Sequence, residues 1–233
     1  MKRIPITIAL SLLLAICVVQ GAENPEVKVL TSTAYQGETA QAKIVINNLV
    51  GSITQKNILI RNEQDQNVPM SIFLTPFDAV TTYATFDIPL DLPTGTYSFV
   101  ANKVNIKENG LIVERSTNVT FQVEASQYAL SFLPGVIVRT KETKLSVKLT
   151  NRGNMTGVLV DTPKFIEHPY SVETTMTSGS SRQFSFTLNE ALFNQEITKN
   201  DTQFDLGFTY GGRRYIIPVL LKWVEEEPTT EEP

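Results

Sequence analysis

The chain carries a single histidine, His168, in the run Phe165-Ile166-Glu167-His168-Pro169. To act as a general base it needs a nucleophile within reach and a carboxylate to orient it. Glu167 is its immediate neighbour, and adjacent residues of an extended strand point to opposite faces. No Gly-x-Ser-x-Gly elbow, phosphate-binding loop or His/Cys metal spacing accompanies it. His168 reads as a loop-border residue. The expectation is a non-enzyme, with no catalytic, cofactor-binding or metal-ligating residues to assign.

Calcium is the one cofactor the acids bring to mind. Asp87 with Asp91, or Glu63 with Asp65, offers loop carboxylates, but a calcium ion takes about six to eight oxygens and neither pair has the regular spacing. They read as solvated loop acids. Three glycosylation sequons occur, at Asn118, Asn154 and Asn200. Asn118 falls in an expected strand, Asn154 and Asn200 in loops, which suits the latter two better for modification. Arg213-Arg214 sits at an expected hairpin tip and reads as a charged turn that keeps the hairpin soluble. Tyr35, Tyr83, Tyr170 and Tyr215 could form a sugar platform, but they lie in or beside alternating runs and read as core or rim.

The elements that must carry these residues are short strands. Ala84, Phe86 and Ile88 alternate as a half-buried strand does. Pro93-Thr94-Gly95 then turns the chain, and Tyr97 and Phe99 open a second alternating run, which suits a sandwich corner. Further strands are expected at Val27–Leu30, Ala42–Ile46, Asn57–Arg61, Val68–Leu74 and from Val113 to Val123, with a hairpin turn at Asn109-Gly110. About seven strands in about 100 residues is the pattern of an immunoglobulin-like sandwich. After Ser126 the pattern restarts: Leu145, Val147 and Leu149 match Ala42, Ile44 and Ile46 at an offset of 103 residues, and Asn151 falls on Asn48. Gln183 to Leu188, with Phe184, Phe186 and Leu188 in phase, and a Gly211-Gly212 hairpin complete the second copy, with one helical turn over Glu190–Glu196. A repeat of that length predicts two tandem domains, 22–125 and 126–224, with a short and fairly stiff junction.

Asn151-Arg152-Gly153-Asn154-Met155-Thr156 after an alternating strand resembles the strand–loop motif of CARDB-type and S-layer-associated immunoglobulin-like modules of archaeal and bacterial surface proteins. Glu23-Asn24-Pro25-Glu26-Val27 and Leu92-Pro93-Thr94-Gly95-Thr96-Tyr97 are similar to that group as well. The resemblance implies scaffolding or adhesion outside the cytoplasm and brings no catalytic residue with it. The first copy departs from the motif at Asn48-Leu49-Val50-Gly51. Neither copy has the cysteine pair or mid-domain tryptophan of antibody domains, since Trp223 lies in the final strand.

The N-terminus reads Met1-Lys2-Arg3, an apolar run from Ile4 to Val19, then Gln20-Gly21-Ala22, the parts of a secretory signal over 1–21. The run holds 16 residues and Pro5, short of the roughly 18 that spanning takes. Cys17 is the only cysteine and lies within it, so a cleaved chain is disulfide-free and relies on its apolar core. Bulky Ile16 argues against lipidation there. Formal charge is −4 over the full sequence, and residues 225–233 hold five glutamates, which reads as a hydrated acidic Pro/Thr tail. No basic block suggests a nucleic-acid partner, and no apolar 18-mer follows residue 21 to suggest a transmembrane segment in the mature chain. The expectation is a secreted or cell-surface structural or adhesion module whose partners are protein or glycan components of the cell envelope. The alternative is a glycan-binding accessory module.

Overall fold

The computed structural model describes residues 25–167 and 173–223. The expected signal, His168, Tyr170 and the acidic tail lie outside them. The described chain is almost entirely β. The N-terminal half contains β1 (Glu26–Val29), β2 (Thr33–Tyr35), β3 (Thr39–Val45), β4 (Ile58–Arg61), β5 (Ile72–Pro76), β6 (Thr81–Asp87), β7 (Gly95–Glu108) and β8 (Leu111–Glu124). The C-terminal half contains β9 (Leu130–Leu133), β10 (Ile137–Arg139), β11 (Lys144–Asn151), β12 (Thr156–Asp161), β13 (Ile166–Glu167), β14 (Thr174–Met176), β15 (Ser181–Leu188), α1 (Glu190–Glu196), β16 (Gln203–Tyr210) and β17 (Arg213–Leu221).

The first half forms sheets of order β1-β3-β6-β5 and β2-β8-β7-β4. The second forms β9-β11-β15-β13 and β10-β17-β16-β12-β14. The two orders match strand for strand, with β14 added at an edge. In each half the first run switches sheets, so that β2 lies parallel to β8 and β10 parallel to β17, while every other described pairing is antiparallel. Two sheets enclose one core per half, an immunoglobulin-like sandwich. One core draws on residues between Val29 and Val123, the other on residues between Leu130 and Leu221.

The repeat in the sequence corresponds to equivalent positions in space. β3 and β11 are the second strands of matching sheets, and Ala42, Ile44, Ile46, Val147 and Leu149 have no exposed surface. Period-two alternation directs them inward. Both hairpin turns have the positive φ they require: 49° and 83° at Asn109-Gly110, 53° and 75° at Gly211-Gly212.

Two expectations shift. The strand expected over Val68–Leu74 begins at Ile72, because Val68 N–H donates to the Ile60 carbonyl at 2.8 Å and Pro69 has no N–H to continue a ladder. The strand after Gly95 runs on to Glu108 across a bulge between Ala101 and Val104, with Lys103 at φ 50°. The extra residue changes phase: Tyr97, Phe99 and Ala101 are buried before it, Val104 and Ile106 after it.

Strands along the contact between the halves break the half-buried rule, two of them over five residues or more. β6 is buried at every residue from Thr81 to Phe86, and β17 from Ile217 to Leu221. Ala84 and Phe86 face their own core, whereas Tyr83 packs with Val136 and Leu220 of the other half. These strands are covered on both faces because the outer side of the β6 sheet lies against the β17 sheet.

Candidate functional site

The polar residues of greatest consequence lie in that junction. Gln41 projects from β3 away from its own core and is 4% exposed. Its Nε2 donates to the Gly135 carbonyl at 2.6 Å and the Ile216 carbonyl at 3.0 Å, both in the C-terminal half. Thr39 Oγ1 accepts the Phe132 N–H at 2.9 Å and donates to Asp87 Oδ1 at 2.6 Å; Arg152 Nη2 holds the other Asp87 oxygen at 2.6 Å. Gly135 permits this approach, since a Cβ there would stand 2.9 Å from Thr85 Cγ2.

At the end of the junction where the chain passes between halves, Glu38 follows the Gln36-Gly37 turn and is 5% exposed. Its carboxyl contacts the Arg213 guanidinium from the tip of the last hairpin. Arg213 Nη2 also donates to the Tyr128 carbonyl at 2.7 Å, and the guanidinium lies 3.7 Å above the Tyr35 ring. Arg213 Nε and the buried Tyr215 hydroxyl have no hydrogen-bond partner. Burial pushes the Glu38 carboxyl up to about 7, against the pull of Arg213 and of a hydrogen bond from Tyr210. Burial, and then the Glu38 charge, drive the Tyr210 and Tyr215 phenols well above their usual range.

Arg213 is thus no solubilising turn residue, as its sequence position suggested. Only Arg214 is solvent-facing, paired with Asp161 at 2.5 Å. The period of two in the last strand puts Arg213, and not Arg214, on the same face as Tyr215 and Ile217, which is the sign the doublet's position carried. Glu38 gave no sign, apart from standing immediately beyond a turn between two strands.

The other sequence-derived candidates remain apart. Asp87 is taken by Thr39 and Arg152, while Asp65 pairs with Arg61 at 2.9 Å and Glu63 accepts the Thr96 N–H at 3.1 Å. Among the described residues no three His, Cys, Asp or Glu side chains converge as metal ligands would. Tyr83 and Tyr215 are buried and Tyr35 lies beneath Arg213, so these rings offer no open platform. Asn118, Asn154 and Asn200 are all exposed, Asn118 within β8 as expected and the other two in loops. A cleft of about 470 Å³ opens beside the junction, with Lys28, Lys43 and Tyr83 on one wall and Gln203, Asp205 and Pro218 on the other. Glu26 and Asp205 balance the two lysines, so the lining presents no net charge to select an ion.

No helix among the described residues is long and apolar enough to cross a membrane. No family profile matches the chain, and no curated protein does. Solved structures are similar in outline. A DUF4785 family protein from Legionella pneumophila is 13% identical, with a TM-score of 0.36 over 84% of this chain and 56% of its own. The Yersinia pseudotuberculosis adhesin InvE is 13% identical, with a TM-score of 0.29 over 87% and 61%. Domains 5–6 of the S-layer protein SbsC are 11% identical, with a TM-score of 0.33 over 87% and 100%. The chain therefore spans little more than half the length of the first two, and at these TM-scores the fold is assigned from strand order.

Proposed function

We propose that this chain is an exported, non-catalytic structural or adhesion module of a cell envelope. In this reading residues 1–21 are a removed signal, and 22–125 and 126–224 are two domains acting as one stiff unit with protein or glycan partners in the envelope. The observation that carries it is the junction. Part of an outer sheet face is closed by Tyr83, Val136 and Leu220 and by hydrogen bonds from Gln41 and Thr39. Such an interface fixes the relative orientation of two sandwiches, which suits a load-bearing or spacing part. The basic–apolar–small N-terminus supports export, and the lone cysteine within it leaves both cores independent of disulfides. Asn154 and Asn200, and less favourably Asn118, are proposed as glycan acceptors.

The test is fractionation of cells expressing the tagged full chain, with N-terminal sequencing of the product and surface labelling of intact cells. A product beginning at Ala22 and labelled from outside supports the reading. A chain beginning at Met1 and confined to the cytoplasm ends it.

A further inference from the structure

We propose that the open edge of β8 is a self-association site, where a second copy of this chain adds its own β8 antiparallel across a two-fold axis. Such an association names one protein partner for the envelope module proposed above and takes only its setting from that reading; the strand edge itself carries it.

The residues flanking a two-residue hairpin turn bond to each other, so Leu111 faces Glu108 around Asn109-Gly110. Odd-numbered residues of β8 therefore turn their N–H and C=O toward β7, and even-numbered ones turn theirs outward. The bulge lies in β7, so β8 keeps this parity along its length. At its far end the outward groups are used: Gln122 N–H donates to the Ser32 carbonyl, and the Glu124 carbonyl accepts from Gln36, both at 3.0 Å. Before that point the outward backbone groups of Ile112, Glu114, Ser116, Asn118 and Thr120 take no hydrogen bond among the described residues. Their side chains are all exposed.

The matching edge in the second half is guarded. The Ile216 carbonyl of β17 accepts from Gln41 at 3.0 Å, Pro218 has no N–H to offer, and β10 covers the edge from Val219 onward. β8 has neither proline nor bulge between Ile112 and Thr120. A straight, unpaired edge of this kind is a template for another strand.

Side chains choose the register. Outward groups on even-numbered residues of both copies oppose even to even. Centring the pair on Glu114 sets that acid against itself, and centring it on Arg115 does the same to the arginine. Centring on Ser116 uses the whole open edge, with Ile112 against Thr120, Glu114 against Asn118 and Ser116 against its own copy. On the other face Arg115, already paired with Glu108 at 2.5 Å, meets Thr117. Val113 meets Val119, and both pack on the first core, so their apolar contact continues across the seam. No like charges meet, and centres farther along shorten the ladder. The edge is thus complementary to itself in one full-length register.

Sedimentation equilibrium on the purified full chain tests this, with the N-terminus as the cell leaves it so that export has no bearing on the result. The mass should rise with concentration to about twice that of one chain. Amide hydrogen exchange should show Glu114, Ser116 and Asn118 gaining protection as concentration rises, while Val113 and Arg115, bonded to β7 in either state, hold theirs. Asn118→Glu sets an acid against Glu114 of the other copy at two symmetry-related places and should weaken the dimer on the order of tenfold. Asn118→Lys should strengthen it by a similar factor. Asn118→Pro removes an outward donor and should leave a monomer. A monomer at every concentration, exchange without that alternation, a dimer indifferent to Asn118→Pro, or the same response to Glu and Lys at 118 would each overturn the proposal.

Discussion

The two halves share one strand order and fill it with different side chains. The first core is built around small residues: Ala42 and Ala84 face each other across β3 and β6, and Ala34, Ala40 and Ala101 are buried near them. Phe86, Phe99 and Phe121 take up the space, with ring centroids 5.6 and 5.7 Å from Phe86. At the matching positions of the second half Leu145 opposes Phe186 and Val147 opposes Phe184. Phe132, Phe184, Phe186 and Phe208 then form a continuous aromatic centre. Total volume, rather than residue identity at each site, is what a sandwich conserves.

The corners differ more than the cores. In the first half Tyr97 Oη donates to the Pro93 carbonyl at 2.8 Å and pins the connection into β7. The second half uses α1, capped by Asn189, whose Phe193 packs edge-on to Phe165 at 5.3 Å and lies 4.3 Å below Arg139. Two solutions to one connection show that topology constrains where a strand must go more tightly than how the loop is held.

The largest effect should come from truncating the aromatic centre. Phe208→Ala removes a fully buried ring touching three others and should cost about 3–5 kcal/mol in urea unfolding. If the junction couples the halves, the first half's near-ultraviolet signal should shift with it. An unshifted first half would mean that the two unfold separately.

Next in size is the asparagine pair that the 103-residue offset aligns. Asn151 has no exposed surface, donates to the Asn154 and Met176 carbonyls at 2.9 Å each, and accepts the Gly153 N–H at 3.0 Å. Asn151→Ala should cost about 2–3 kcal/mol, since those backbone groups lose their partner. Asn48 is exposed at φ 59°, and Asn48→Gly should change stability by less than about 1 kcal/mol, of either sign. Equal costs at the two sites would make them structurally equivalent after all.

Tyr97→Phe should lose about 1 kcal/mol by thermal or urea unfolding, through the one hydrogen bond it removes. Smallest of all, Arg214→Ala breaks an ion pair whose side chains are 54% and 58% exposed, and the unfolding midpoint should move by less than about 0.5 kcal/mol. A larger loss would show that Arg214, like its neighbour, braces the junction.

Much of this molecule is legible in one dimension. Alternation placed β3, β6, β11, β15, β16 and β17, because large apolar residues facing each strand's own core recur with a period of two, even in β6 and β17 where the outer face is covered as well. Asn109-Gly110 and Gly211-Gly212 marked their hairpins through a local demand for positive φ. The short strands β2, β10, β13 and β14 escaped, since two or three residues carry too little period to register. The β7 bulge also escaped, because a single extra residue changes phase without changing composition.

The junction is a different matter. Tyr83 and Thr85 look like the solvent face of an ordinary strand, and their burial depends on Gly135, Val136 and Leu220 of the other half. The same holds for the roles of Glu38 and Arg213, 175 residues apart and in contact only after both sandwiches have formed. Local patterning selects the strand, its phase and its turn through short-range sterics and burial. The pairing of outer faces, and the charge states that pairing imposes, belong to long-range packing alone.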